Sequence, residues 1–194
     1  PRHMLNWLER TKTCLLDIDQ IELEDTTFLI PFFTTSDALE KSIERFGIVN
    51  TPVLQERPGE RAVAILGRRR LLAARKLGVP RVDVRMVAPD MTEQEGFVLA
   101  FWDNIACRSF DTACTAFVVM RLMALFPKER TARDFLPALN VPQHGPRLER
   151  LQAVGNLEFE VLAARASGRL LEKTAWILTK LEPGERSELL ALCD

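Results

Sequence analysis

Ile65-Leu-Gly-Arg-Arg-Arg-Leu-Leu-Ala-Ala-Arg-Lys-Leu-Gly78 is the stretch whose reading decides the fold. An apolar alternating run, Val63 to Leu66, leads into it, and Gly67 separates that run from the helix-favouring residues Leu71, Leu72, Ala73, Ala74, Lys76 and Leu77. The pattern predicts strand, tight glycine turn, helix. A helix opening at Gly67 or Arg68 aims its first backbone N–H groups, the positive end of its dipole and three arginines at one place, which suits an anion, here a phosphate. The competing reading is a solvated basic first turn, but cations are disfavoured beside a helix N-terminus, so three in a row require a reason.

Working outward, the turn Arg57-Pro-Gly-Glu60 joins a strand at Val53 to Glu56 to the return strand Arg61 to Leu66, predicting a hairpin that delivers the chain to Gly67. Upstream, Ser36 and Asp37 cap a helix in which Leu39, Ile43 and Phe46 form one buried face and Gly47 supplies the stop. Cys14 to Leu23 reads as a strand broken near Asp19, preceded by a short helical lead-in at Leu5 to Lys12. Pro1, Arg2 and His3 before Met4 read as a cloning remnant. Downstream, Val82, Val84 and Met86 mark another strand, and Thr92 with Glu95 forms a capping box opening a helix toward Asn104. Asp111 starts a second, apolar helix, Ala113 to Phe126, closed by Pro127.

At 194 residues, 47% apolar and 27% charged, the chain has the composition of a soluble globular protein of one large or two small domains. The net charge of -1 excludes a globally basic nucleic-acid binder. Charge is nevertheless uneven: Arg57 to Arg85 holds nine basic residues against two acids, and Gly155 to the end holds five against seven. Cys14, Cys107, Cys114 and Cys193 show no C-x-x-C spacing, which argues against zinc and dithiol chemistry. With no signal peptide and no membrane-length apolar run, a cytoplasmic location and no membrane partner are expected.

Three stretches, in order, resemble the N-terminal domain of the ParB family of bacterial chromosome and plasmid partition proteins. They are Leu39 to Leu54, with Ser42-Ile43, Gly47-Ile48 and Pro52-Val53; Gly67-Arg-Arg-Arg70 followed by Ala73-Ala74; and Asp103-Asn104 with Arg108. The resemblance covers roughly residues 14–120. It implies an α/β (α+β) ParB/sulfiredoxin-like domain with a mixed sheet at residues 14–110, followed by an all-α domain at residues 111–194. It also implies a nucleotide pocket for CTP or another nucleotide with Mg2+. In that pocket the Gly47, Thr51, Pro52 loop would face the base, Gly67, Arg68, Arg69 and Arg70 would take the phosphates, Asn104 and Arg108 would join them, and Asp103 with Asn104 would lie near the metal. Arg68 and Leu72 depart from the family pattern, so nucleotide binding without hydrolysis is as consistent with these residues as a CTPase. The sulfiredoxin cysteine has no counterpart in the all-arginine turn. No dense acid cluster suggests a two-metal nuclease.

From Thr131 on, the pattern is helical: Thr131 to Leu139, Pro146 to Val154, Leu157 to Ala166, Leu170 to Leu181 and Pro183 to Leu192. The resemblance places a helix-turn-helix here, with Gln143, His144, Arg147 and Arg150 as DNA contacts. Leu148, Leu151 and Val154 read equally well as the buried face of a small bundle. The implied function is nucleotide-regulated DNA binding in partition or transcription regulation, as a homodimer. The alternative is a DNA-independent protein-interaction module on the same fold.

Overall fold

The structure, a computed structural model, describes residues 11–32, 37–126 and 132–191. It divides into two compact units: Pro1–Leu29 with Phe33–Asn104, and Ile30–Phe32 with Ile105–Asp194.

The first unit is built on five strands: β1 Thr11–Asp17, β2 Ile21–Glu22, β3 Val53–Gln55, β4 Ala62–Leu66 and β5 Arg81–Val87. Their order is β1-β5-β3-β4-β2. β1 and β5 pair antiparallel, as do β3 and β4, whereas β3 runs parallel to β5 and β2 parallel to β4, so the sheet is mixed. β4 does not alternate as its sequence suggested: Ala62, Val63, Ala64 and Ile65 are all buried. A strand covered on both faces reads as a continuous apolar run. Helix α1, Asp37–Phe46, packs against α2, Arg68–Lys76, whose Leu71 and Ala74 reach the same core as Leu54 and Val84. Buried Gln55 donates its side-chain amide to the Met91 carbonyl at 2.7 Å, tying the end of β3 to the approach to α3, Glu93–Cys107. The capping box at that approach is formed: the Thr92 N–H donates to the Glu95 carboxylate at 2.9 Å and the Glu95 N–H to Thr92 Oγ1 at 3.2 Å.

The second unit is helical. Its central element is α4, Thr112–Leu125, which buries Ala113, Cys114, Thr115, Ala116, Val118, Val119, Leu122 and Leu125, as a mostly apolar helix must. Asp111 caps it, accepting from the Cys114 N–H at 2.7 Å. Burial pushes the Cys114 thiol up to about 12. After α4 come α5 Pro146–Gly155, α6 Phe159–Ala166, α7 Glu172–Leu178 and α8 Pro183–Ala191, with α5 and α6 packed directly on α4 and α7 on α5 and α6.

Several expectations change. Thr11 and Lys12 belong to β1, not to a helix, because they pair with Val87 and Met86. Phe46 is 66% exposed, so α1 buries Ile43 but not a full three-residue face. Asp103 and Asn104 lie inside α3, which continues to Cys107. Leu136–Leu139 is a 3-10 turn ended by Asn140 at φ 55, since Pro137 removes an N–H that a regular helix would use. The Ser36 cap, the Pro127 stop, Cys193 and residues 5–10 lie outside the described residues.

Candidate functional site

The turn singled out in the sequence forms as expected. Gly67 adopts φ 85, ψ 14 as the residue before α2, and its carbonyl accepts from the Arg70 N–H at 2.9 Å and the Leu71 N–H at 3.1 Å. The amides of Arg68 and Arg69 are therefore the helix-opening donors whose partners cannot come from the helix itself. A β-carbon added at Gly67 would lie 3.0 Å from Pro52 Cβ and 3.1 Å from Pro52 Cα. Two stretches fifteen residues apart in sequence are thus pressed together, the Gly47–Pro52 loop and the arginine turn. The sheet explains the approach: Val53 pairs with Leu66, which holds the entrance of β3 beside the exit of β4, and on the other side the Pro52 carbonyl accepts from the Arg85 N–H of β5 at 2.9 Å.

The three arginines differ, although all are half-buried. Arg68 turns back and donates to the Asp25 carbonyl. Burial, partly offset by Glu24 and Asp25, lowers its pKa from the ordinary value, so this side chain braces the start of α2 against the loop after β2. Asp25 completes the brace by accepting from Arg57 at 2.9 Å and from the Thr27 N–H at 2.7 Å. Burial works to raise the Asp25 pKa, but the bonds from Thr27 and Arg57 prevail and leave it lowered. Arg70 donates to the Asn50 carbonyl at an exposed position, tying the arginine turn to the first loop. Arg69 stands between them on the same turn.

Gly47 is exposed and Thr51 half-buried on that loop. Asp103 and Asn104 are half-buried on α3, with the Asn104 amide donating to the Ala100 carbonyl at 2.9 Å. Among the described residues, no three or more His, Cys, Asp or Glu side chains gather where they would hold a metal. Arg108 belongs to the second unit. Its guanidinium donates to the carbonyls of Ile30, Pro31 and Phe32 at 3.2, 3.1 and 3.3 Å and holds that segment in place. Phe32 then stacks on Phe159 at 5.1 Å.

The candidate DNA contacts also lie in the second unit. Leu148, Leu151 and Val154 are the buried face of α5, leaving Arg147 and Arg150 exposed on it. Arg150 sits over the Trp176 ring at 4.9 Å. His144 Nδ1 lies 2.7 Å from a guanidinium nitrogen of Arg133, and the Gln143 amide donates to the Arg133 carbonyl at 3.4 Å.

Five of the nine basic residues from Arg57 to Arg85 meet carboxylates from outside the segment. Arg57 pairs with Asp25 at 2.9 Å, Arg61 with Glu22 at 3.7 Å, Arg75 with Glu24 at 2.9 Å, Lys76 with Glu40 at 2.8 Å and Arg81 with Asp17 at 2.7 Å. Exposed pairs of this kind add little stability, but they cancel charge locally. No residue-type pattern within the segment announces these partners, since each acid comes from earlier in the chain.

No family profile matches the chain, and no curated protein is similar to it in sequence. Solved structures do match in fold. The N-domain of a pNOB8-like ParB, in a C2221 crystal form, gives a TM-score of 0.50 at 14% identity, over 86% of this chain and 78% of that one. The C-terminally truncated chromosome-partitioning protein ParB from Caulobacter crescentus, complexed with CTP-gamma-S, gives 0.41 at 15% identity, over 88% and 93%. The Caulobacter protein complexed to the centromeric parS site gives 0.44 at 15%, over 88% and 86%. The chain has a ParB-like fold, with a mixed five-stranded sheet in one unit and helices in the other. No helix among the described residues is long and apolar enough to cross a membrane.

Proposed function

We propose that this chain is a nucleotide-regulated DNA-binding protein in which the Gly67–Arg70 turn holds the phosphates of CTP or another nucleotide. The observation that carries the reading is the close seat of Gly67 on Pro52, which brings the two stretches resembling the family's first and second boxes together around a helix N-terminus. Gly67 lets the backbone approach, the Arg68 and Arg69 amides face the anion, Arg69 and Arg70 supply charge, and the Gly47–Pro52 loop faces the base. Arg68 acts as the brace. Among the described residues, the dispersed acids do not build a protein cage for a metal. They suit a magnesium ion that keeps water and phosphate oxygens, as that ion usually does, with Asp103 and Asn104 as its nearby protein oxygens. Such an ion would neutralise phosphate charge.

Calorimetric titration with CTP, ATP and GTP, with and without magnesium, tests this. Arg69→Ala and Arg70→Ala are each expected to weaken binding by about 1.5–3 kcal/mol, the range for hydrogen bonds to charged groups. Arg70 belongs at the lower end, because a phosphate oxygen must replace the Asn50 carbonyl it already serves. Unchanged affinity in both variants sinks the site. Asp103→Ala should remove the magnesium dependence more than the binding.

DNA contact is assigned to the helical unit, residues 111–194, through Arg147 and Arg150 with Gln143 and His144 beside them, and dimerisation would double these contacts. Two phosphate contacts per chain give a log-log salt slope of about -2. Fluorescence anisotropy with duplex DNA at low and moderate salt should therefore show weak, salt-sensitive binding that an Arg147→Ala, Arg150→Ala double variant loses. The second reading, a DNA-independent protein-interaction module, is favoured by the carboxylate partners of Arg57, Arg61, Arg75, Lys76 and Arg81. Absence of binding by the wild-type chain at low salt, with nucleotide present, would favour that reading.

A further inference from the structure

We propose that the cleft of the helical unit between α5, α6 and α7 is a binding site for a small organic anion, an acidic head on an apolar body. The proposal does not rest on the nucleotide reading, which concerns the other unit. The cleft has a volume of about 700 Å3, within the range of pockets that enclose small molecules.

Its charge is one-sided. Arg147 and Arg150 enter from α5 and Arg165 from α6, against a single carboxylate, Glu172. Trp176 holds the Arg150 guanidinium at 4.9 Å from its ring centre and the Lys180 ammonium at 4.4 Å, adding a fourth cation nearby. Glu172 offsets only one of the three arginine charges, that of Arg165. It lies 3.8 Å from the nearest Arg165 nitrogen, beyond hydrogen-bond reach, and the buried Nε–H of Arg165 finds no acceptor among the described residues. An entering carboxylate, sulfonate or phosphate would meet guanidinium donors already arranged around it.

The floor has the opposite character. Leu151, Val154 and Ala175 line the same cleft and are buried, and Phe110 stands at its side. A bare inorganic anion would leave that floor wet, and a purely apolar guest would strip water from three guanidiniums without replacing it. A guest with both parts meets neither penalty. Duplex DNA satisfies only the charged rim, because a phosphate backbone has nothing to place on an apolar floor.

The test uses calorimetry on the full chain with three probes: 1-naphthoate, the neutral 1-naphthalenemethanol, and inorganic phosphate. Naphthoate is expected to bind saturably at one site, with the alcohol and phosphate each at least about tenfold weaker, since a charge-assisted bond and a buried ring are each worth a factor of that order. Arg147→Gln, Arg150→Gln and Arg165→Gln should each weaken naphthoate by about tenfold. Glu172→Gln should tighten it by roughly threefold, because a repelling charge at the rim is removed without loss of a donor. Arg147 is exposed, so its variant does not threaten the fold. No saturable naphthoate binding, equal affinity for the alcohol, or affinity unchanged in all three arginine variants would overturn the proposal.

Discussion

Gly155→Ala is expected to lower the stability of the helical unit by about 3 kcal/mol, the upper end of what overpacking usually does. Gly155 closes α5 where that helix meets α4, and a β-carbon there would lie 2.5 Å from the Ala116 carbonyl oxygen, 2.5 Å from Met120 Cγ and 3.0 Å from the Ala116 carbonyl carbon. Met120 can swing aside. The Ala116 carbonyl cannot, because it belongs to the backbone of α4 at a fully buried residue, so α5 must withdraw and uncover Leu151 and Val154. Chemical denaturation followed by circular dichroism measures the effect. The sign is diagnostic, since alanine in a helix that touched nothing would raise stability by about 1 kcal/mol. A more stable variant would show that α5 is not seated on α4.

Gly67→Ala should act on both stability and binding. At φ 85 an L-residue is strained by about 1–2 kcal/mol, and the approach to Pro52 adds overpacking of about 1–3 kcal/mol. The turn relaxes by moving the arginines away from the first loop, so nucleotide affinity should fall by more than in Arg69→Ala. A double-mutant cycle with Pro52→Gly separates the two causes: relief of the contact should recover part of the stability, whereas the backbone strain remains. Full stability and full affinity in Gly67→Ala would contradict the reading of this turn.

Much of the first unit, and the start of α4 in the second, was legible because the signals there are local. The Gly67 turn, the Arg57 to Glu60 turn, the Thr92–Glu95 box and the Asp111 cap each depend on residues within a few positions of one another. The break in the first strand was visible for the same reason, since Ile18–Gln20 forms a 3-10 turn between β1 and β2. The end of α3 was less legible. Asp103 and Asn104 are polar enough to pass for a helix end, yet Asn104 bonds back to the Ala100 carbonyl and the helix continues.

Thus the sequence by itself determined most of the elements and their order, the helix opening at Gly67, the buried face of α5 and the arginines on its other side, because periodicity and capping act within one or two turns. Only the tertiary structure decided what those groups do. The carboxylates that meet Arg57, Lys76, Arg75 and Arg81 lie 32, 36, 51 and 64 residues away, so the charge of the basic segment could not be read from the segment. Arg108 reaches carbonyls 76 to 78 residues before it, for the same reason. The seat of Gly67 on Pro52 and of Gly155 on Ala116 are likewise contacts between elements, where a missing side chain matters because another backbone occupies its place. Coulomb attraction and excluded volume depend on distance in space, and the chain sets that distance only by folding.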